Sequence, residues 1–247
     1  MWNPDQYDRF KDERRQPFRD LLALVELRPK MRVADLGCGT GEMTRELHDH
    51  LKAAETLGVD NSETMLLKTS AFGDEMLRFE RGEIEAFVAS RPFDLIFSNA
   101  ALHWVPDHRG LFTRFAGLLT PHGQLAVQMP ANDDHPSHAT AAEVARESFG
   151  IAPRADHLLA PESYASLLHH LGFKRQHVRV QVYAHELESR DSVVEWVRGT
   201  LLTDYQQRLG SRFEEFLEAY RTKLMARLSD ATPFFYTYKR ILIWASF

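Results

Sequence analysis

The chain has one cysteine, Cys38, among 247 residues. A single thiol can form no intramolecular disulfide and no Cys-based zinc site, so both are excluded and a reducing, cytoplasmic setting is expected. No long Lys/Arg tract occurs, and 30 basic against 35 acidic residues leave a formal charge of -5. Without a basic patch the electrostatic footprint of a nucleic-acid binder is missing, and no nucleic-acid partner is expected. No stretch reaches the roughly 18 uninterrupted apolar residues of a spanning helix, and the first twenty residues are polar without an apolar h-region. Neither membrane insertion nor secretion is expected. Neither a G-x-S-x-G elbow nor a Walker motif is present, which removes the usual signatures of serine hydrolases and P-loop enzymes. His135 and His138 lie three apart in an Asp-rich loop with no third ligand in view, so no metal is expected.

What remains is an ordinary globular composition. Hydrophobic residues make up 44% and charged residues 26%, and the 13 glycines and 11 prolines are spread along the chain. There are no repeats and no low-complexity linker. The length suits one large domain, or one domain carrying a lid, as a monomer or homodimer.

Residues 14–27 place Phe18, Leu21, Leu22 and Val25 at helical spacing, and Pro29 ends the run. A short apolar run at 31–36 then reads as a buried strand ending in glycines, with a helix at 42–51. The alternation continues with a strand at 55–59, a helix at 62–70, a strand near 76–80, a short helix near 84–89 and a strand at 93–98. A helix near 111–119 and a strand at 123–128 follow. Helices at 136–149 and 162–171, a strand at 173–185, a helical block at 192–228 and a last strand at 234–247 complete the chain. Strands alternating with helices through short connections predict an α/β fold: a Rossmann-like, mainly parallel, seven-stranded sheet with helices on both faces. The helical block falls between two late strands and is expected to form a lid. A single domain is expected, with 1–30 as a cover segment, 31–130 as the cofactor-binding core, and 131–247 completing the sheet around a lid at 189–232.

The strongest local signal is Asp35-Leu-Gly-Cys-Gly-Thr-Gly41, directly after a strand and before a helix, with Asp60 ending the next strand 19 residues beyond Gly41. Glycines at 37, 39 and 41 let a ligand lie against the main chain, and an acid at the end of the second strand can accept both hydroxyls of a ribose. The dinucleotide fingerprint wants a third glycine where this chain has none. Asp35 would sit awkwardly beside a pyrophosphate and suits a ligand bearing an ammonium and a sulfonium. The cofactor expected is S-adenosyl-L-methionine. Cys38, inside the turn, reads as a small apolar filler.

At this point the pattern resembles the class I methyltransferases. Asn61-Ser-Glu-Thr-Met65, Gly82-Glu83-Ile84 and Asn99-Ala-Ala-Leu-His-Trp104 match that family's remaining cofactor segments. The resemblance implies that Asp60 holds the ribose, that Met65 and Ile84 sandwich the adenine, that Glu83 reads its amino group, and that Asn99 gives main-chain contacts to the methionine part. Asn61 belongs to the same segment. Within that family, Trp2-Asn-Pro-Asp-Gln-Tyr7 with Phe10, residues 94–108, and Ala126-Val-Gln-Met-Pro130 with Asn132 resemble the trans-aconitate 2-methyltransferases, and the likeness returns at 240–245. After Trp196-Val197, where that group carries Gly-Leu-Arg-Pro, this chain has Leu201-Leu-Thr-Asp204, which removes a cation from the acceptor pocket the resemblance implies.

Methyl transfer from a sulfonium is an in-line displacement that depends above all on alignment. A carboxylate acceptor needs no general base, only desolvation and partners for its other charges. The candidates to contact the acceptor are Tyr7 and Phe10, His103, Trp104 and Arg240, with His103 a base only if the acceptor were a hydroxyl or thiol. The function expected is methyl transfer to a small carboxylic acid. A malonyl thioester or natural-product hydroxyl acceptor, or cofactor binding without turnover, stay open at the level of sequence. The amphipathic run at 213–228 reads as a lid helix.

Overall fold

The protein is described here by a computed structural model covering residues 11–247. Seven strands form one sheet in the order β3-β2-β1-β4-β5-β7-β6. They are β1 Arg32–Leu36, β2 Glu55–Asp60, β3 Leu77–Arg81, β4 Phe93–Asn99, β5 Leu119–Pro130, β6 Arg175–Leu187 and β7 Phe234–Ser246. The pairs β1–β2, β2–β3, β1–β4 and β4–β5 are parallel, whereas β7 runs antiparallel to β5, with Gln128 opposite Leu242 and Pro130 opposite Arg240. The chain moves outward from β1 through β2 to β3, then returns to the other side of β1 with β4. The sheet order therefore reverses between β1 and β4, and the carboxyl ends of strands at such a switch point are where ligands of open α/β sheets bind.

The helices are α1 Lys11–Leu22, α2 Glu42–Leu51, α3 Glu63–Leu66, α4 His108–Gly117, α5 Pro136–Phe149, α6 Pro161–His170, α7 Asp191–Arg198, α8 Leu201–Leu209 and α9 Phe213–Met225. Three of them, α7 to α9, are inserted between β6 and β7, as the order of sequence patterns predicts. α2 shows why such segments are helical: Thr44, Leu47, His48 and Leu51 recur at three- and four-residue spacing and form its buried stripe. Among the described residues, no helix is long and apolar enough to cross a membrane.

Several expected boundaries shift for identifiable reasons. α1 ends at Leu22, well before Pro29, because the next amides tighten to i–3 partners: Leu24 donates to the Leu21 carbonyl and Val25 to that of Leu22. The expected helix at 62–70 breaks after Leu66, whose carbonyl the Thr69 hydroxyl takes at 2.8 Å in competition with the ladder. The short helix expected near 84–89 is a single 3-10 turn, Ile84–Ala86. α4 starts earlier than expected because Asp107 caps it, accepting the Gly110 N–H at 3.0 Å. The block at 192–228 is three helices, separated at Gly199 and at the 3-10 turn Gly210–Arg212.

By backbone proximity the chain divides into two compact units. One holds residues 16–130, 157–181 and 240–247 and contains β1 to β5; the other holds 131–156 and 182–239. In the first, Phe18, Leu21, Leu22 and Val25 pack with Leu47 and Leu51 of α2 and with Val33, Leu95, Phe97, Ala126, Leu242 and Trp244 of the sheet. Phe18 meets Phe97 edge-on at 5.6 Å between ring centroids. The second unit has its own core from α5, α7, α8, α9 and the strand segments 183–187 and 234–238, rich in buried tyrosines.

Gln124 ties the stretch before β1 to the sheet. Its Oε1 accepts the Glu26 N–H at 2.8 Å and the Trp244 indole N–H at 2.9 Å, while its Nε2 donates to the Glu26 carbonyl at 2.9 Å. Gln124→Leu keeps the volume but orphans these partners. Urea unfolding should show a loss of about 2–4 kcal/mol, since each buried unpaired group costs about 1–3 kcal/mol.

Candidate cofactor and acceptor site

The glycine turn leaves β1 at the switch point. Gly37 has φ +83°, and a Cβ there would lie 2.1 Å from the Ala101 Cβ, so no other residue fits where the turn passes beneath the segment following β4. Gly39 also has positive φ, +55°, yet a Cβ there would meet no protein atom within 4 Å. Its bare main chain therefore faces open space that a ligand can fill. Gly41 is the N-cap of α2 and supplies no side-chain cap, which leaves the first amides of that helix at the turn.

Asp60 sits at the tip of β2. Its Oδ2 accepts the Gly39 N–H and its Oδ1 the Ser62 N–H, both at 2.9 Å. Each carboxylate oxygen has a second lone-pair direction, so the group is rigidly aimed while still able to accept two hydroxyls. Asn61 donates to Glu83 Oε2 at 3.0 Å, which joins the tips of β2 and β3. Met65 and Ile84 are half-buried, and Ile84 comes within 3.7 Å of the Cβ position of Gly37. A nucleoside suits this arrangement: a rigid acid for its ribose, two partly exposed apolar side chains, and an exposed Glu83.

Asp35, at the end of β1, is buried and accepts the Thr44 hydroxyl at 2.6 Å. Burial pushes its carboxyl up to about 7, which the Thr44 hydrogen bond opposes and the nearby Asp60 charge reinforces. A cation placed beside Asp35 would reverse that cost, so the donor set fits an ammonium or sulfonium and disfavours a phosphate. Cys38 is buried, and burial together with Asp35 and Asp60 holds its thiol protonated, well above the usual range. It is packing, not a nucleophile.

Beyond β4, Ala100 takes φ +55° and donates its N–H to the Gln128 carbonyl at 2.8 Å. The 3-10 turn Leu102–Trp104 follows. His103 is buried and packs on Trp104 at 4.7 Å between ring centroids, while Trp104 stays 48% exposed, a large aromatic surface turned to solvent. Asn99 ends β4, with Gln128 Nε2 donating to its Oδ1 at 2.6 Å. Arg240 of β7 is half-buried, unlike most arginines near a chain end, and its Nη1 lies 3.5 Å from Gln128 Oε1. Tyr7, and the whole motif from Trp2 to Phe10, lies outside the described residues.

The structure thus gathers Asp35, Gly37, Gly39, Gly41, Asp60, Asn61, Met65, Glu83, Ile84 and Asn99 at the carboxyl edge of β1 to β4. Sequence reasoning missed Thr44 and Gln128. The signal for Gln128 was available: a lone amide inside the apolar run Ala126-Val-Gln-Met. His135 caps α5, its Nδ1 accepting the Ser137 N–H at 3.1 Å, and His138 within the helix pairs its Nδ1 with the Ser137 hydroxyl at 3.1 Å. Among the described residues, no group of three His, Cys, Asp or Glu is placed to hold a metal.

A methyltransferase-domain family matches residues 7–178. A trans-aconitate 2-methyltransferase of Deinococcus radiodurans is 44% identical, over 99% of this chain and 98% of its own. One from Escherichia coli is 37% identical, over 90% of this chain and 88% of its own. Among solved structures, the YcgJ protein of Bacillus subtilis superposes with a TM-score of 0.63 at 19% identity, covering 94% and 97% of the two chains. A Haemonchus contortus phosphoethanolamine N-methyltransferase 2 in complex with S-adenosyl-L-methionine superposes at 0.56 with 17% identity, covering 94% of this chain and 52% of that one.

Asp35 generates a prediction about pH. Its folded pKa, about 7, lies above the ordinary carboxylate value, so the folded state holds an extra proton between about pH 4 and 7 and stability falls as pH rises through that window. Asp35→Asn removes this cost. By thermal unfolding without ligand, the variant should melt above the parent at pH 8, with the gap closing below pH 5. A cationic ligand favours the ionised form, so the parent's affinity for S-adenosylmethionine should rise from pH 5.5 to 7.5, and Asp35→Asn should lose that rise.

Proposed function

This chain belongs to the S-adenosylmethionine-dependent methyltransferases, and from that premise we propose that its acceptor is a carboxylate of trans-aconitate, converted to a methyl ester. The observation that carries the acceptor is an identity of 44% sustained over 99% of the chain to a trans-aconitate 2-methyltransferase. The cofactor supplies an electrophilic methyl on a positively charged sulfur. An acceptor carboxylate oxygen forms the new bond to that methyl, the carbon–sulfur bond breaks, and its electron pair stays on sulfur. No proton moves, so the chain needs no base.

Its residues have three duties in this reading. Asp60 holds the ribose hydroxyls while the Gly39 and Ser62 amides keep its carboxylate aimed. Met65 and Ile84 flank the adenine, Glu83 reads its amino group with Asn61 steadying that carboxylate, and Asp35 faces the cationic end over the bare turn of Gly37, Gly39 and Gly41. Asn99 borders the methionine part. Arg240 answers the charge of the acceptor's non-reacting carboxylates, a bidentate match suited to a guanidinium. His103 and Trp104 form a wall that excludes water; Tyr7 and Phe10, the remaining candidates to contact the acceptor, lie outside the described residues. A chain whose single cysteine is buried inside the cofactor turn suits the reducing cytoplasm.

Calorimetric titration with S-adenosylmethionine and S-adenosylhomocysteine, followed by methyl-release assays across di- and tricarboxylic acids, tests the reading. Both ligands should bind, and trans-aconitate should turn over fastest; binding with turnover confined to a thioester-linked or hydroxyl acceptor overturns the acceptor assignment. Asp60→Ala should weaken cofactor affinity at least about tenfold, the worth of a charged hydrogen bond. Arg240→Gln should raise the KM for trans-aconitate about tenfold or more with a smaller change in kcat, because uniform binding is lost rather than alignment.

A further inference from the structure

Three adjacent strands end their core-facing rows in the same way. Phe97 on β4, Ala126 on β5 and Leu242 on β7 belong to one apolar cluster, and two residues further toward the same sheet edge come Asn99, Gln128 and Arg240. Residues two apart share a face; the register sets Asn99 opposite Gln128 and Arg240 opposite Pro130, two residues past Gln128, so the three form one polar group on that face with Arg240 diagonal to Gln128. Gln128 is its centre and is only 1% exposed.

The order of hydrogen bonds within the group follows from donor chemistry. A guanidinium only donates, so the Gln128 atom facing Arg240 is Oε1. Its Nε2 then points at Asn99, which must present Oδ1, and this contact is short at 2.6 Å. The Asn99 Nδ2 is left to point toward Met43 Sδ, 3.8 Å away. One buried amide thus faces both the Asn99 amide at the end of β4 and the Arg240 guanidinium of β7.

We infer that Gln128 is a positioning residue for acceptor recognition, holding the Arg240 guanidinium in place for a substrate carboxylate while locking the Asn99 amide beside the cofactor. The inference rests on Arg240 being the acceptor anchor of the proposed reaction. Gln128 touches no reacting atom itself; it acts through its two neighbours. A purely structural amide would instead affect stability without discriminating among acids.

The test is a double-mutant cycle read by steady-state kinetics and thermal unfolding. Gln128→Met conserves volume and removes both hydrogen bonds, and should raise the KM for trans-aconitate about fivefold to tenfold, the range for one buried hydrogen bond, with kcat changed less than about twofold. In an Arg240→Gln background the same change should add less than about twofold. Gln128→Glu keeps an acceptor toward Arg240, loses the donor toward Asn99 and adds a negative charge. It should lower kcat/KM for a tricarboxylate more than for a monocarboxylate, and this ratio serves if Gln128→Met fails to fold. An unchanged KM in Gln128→Met, an equal factor in both backgrounds, or an unchanged tricarboxylate-to-monocarboxylate ratio in Gln128→Glu overturns the inference. Arg240→Gln with the parental KM overturns the anchor reading instead.

Discussion

The site depends on how closely two segments approach where β1 and β4 part. With the Cβ position of Gly37 only 2.1 Å from the Ala101 Cβ, the glycine turn and the chain beyond β4 touch with no side chain between them. Ala100 accepts a left-handed backbone to make this possible, a conformation that costs an L-residue on the order of 1 kcal/mol, and its N–H is secured by the Gln128 carbonyl. The strain is held in place by a parallel sheet that has no freedom to relax, since β4 is paired on both sides. From this contact follow the positions of Asp35 and Asn99 at one edge and the direction in which the Leu102–Trp104 turn leaves the sheet.

Two carboxylates at that edge are treated differently by their surroundings. Asp60 has two backbone donors and stays partly open to solvent, so it is a fixed acceptor. Asp35 has one hydroxyl partner and is buried, so its charge is expensive without a cation. The combination suits a ligand with hydroxyls at one end and positive charge at the other. Selection between a dinucleotide and S-adenosylmethionine is therefore electrostatic as much as steric, and glycines alone do not decide it.

Parts of the fold were legible because their signals are local. α5 runs over the residues expected, since Pro136 opens it and Gly150, in the left-handed region, closes it. The glycine turn and Asp60 were legible for the same reason: their spacing is a property of the chain. Where expectation and structure diverged, a specific competing bond was responsible, as with the Thr69 hydroxyl that interrupts the helix after Leu66. Arg240 was legible as a candidate to contact the acceptor, whereas its neighbour Gln128 was not, because only the return of β7 brings the two together.

The sequence by itself determined the alternation of elements, the positive-φ turn, the acid that follows it and the cofactor these imply, because each rests on residue type and short-range spacing. Only the tertiary structure decided that β7 returns antiparallel beside β5, far from it in sequence, and so put Arg240 diagonally beside Gln128, itself opposite Asn99. It also decided that Asp35 is buried next to Thr44 and near Asp60, which sets its charge. Strand order and burial depend on which distant surfaces close over one another, and hydrophobic pattern specifies that a face is buried without naming what will cover it.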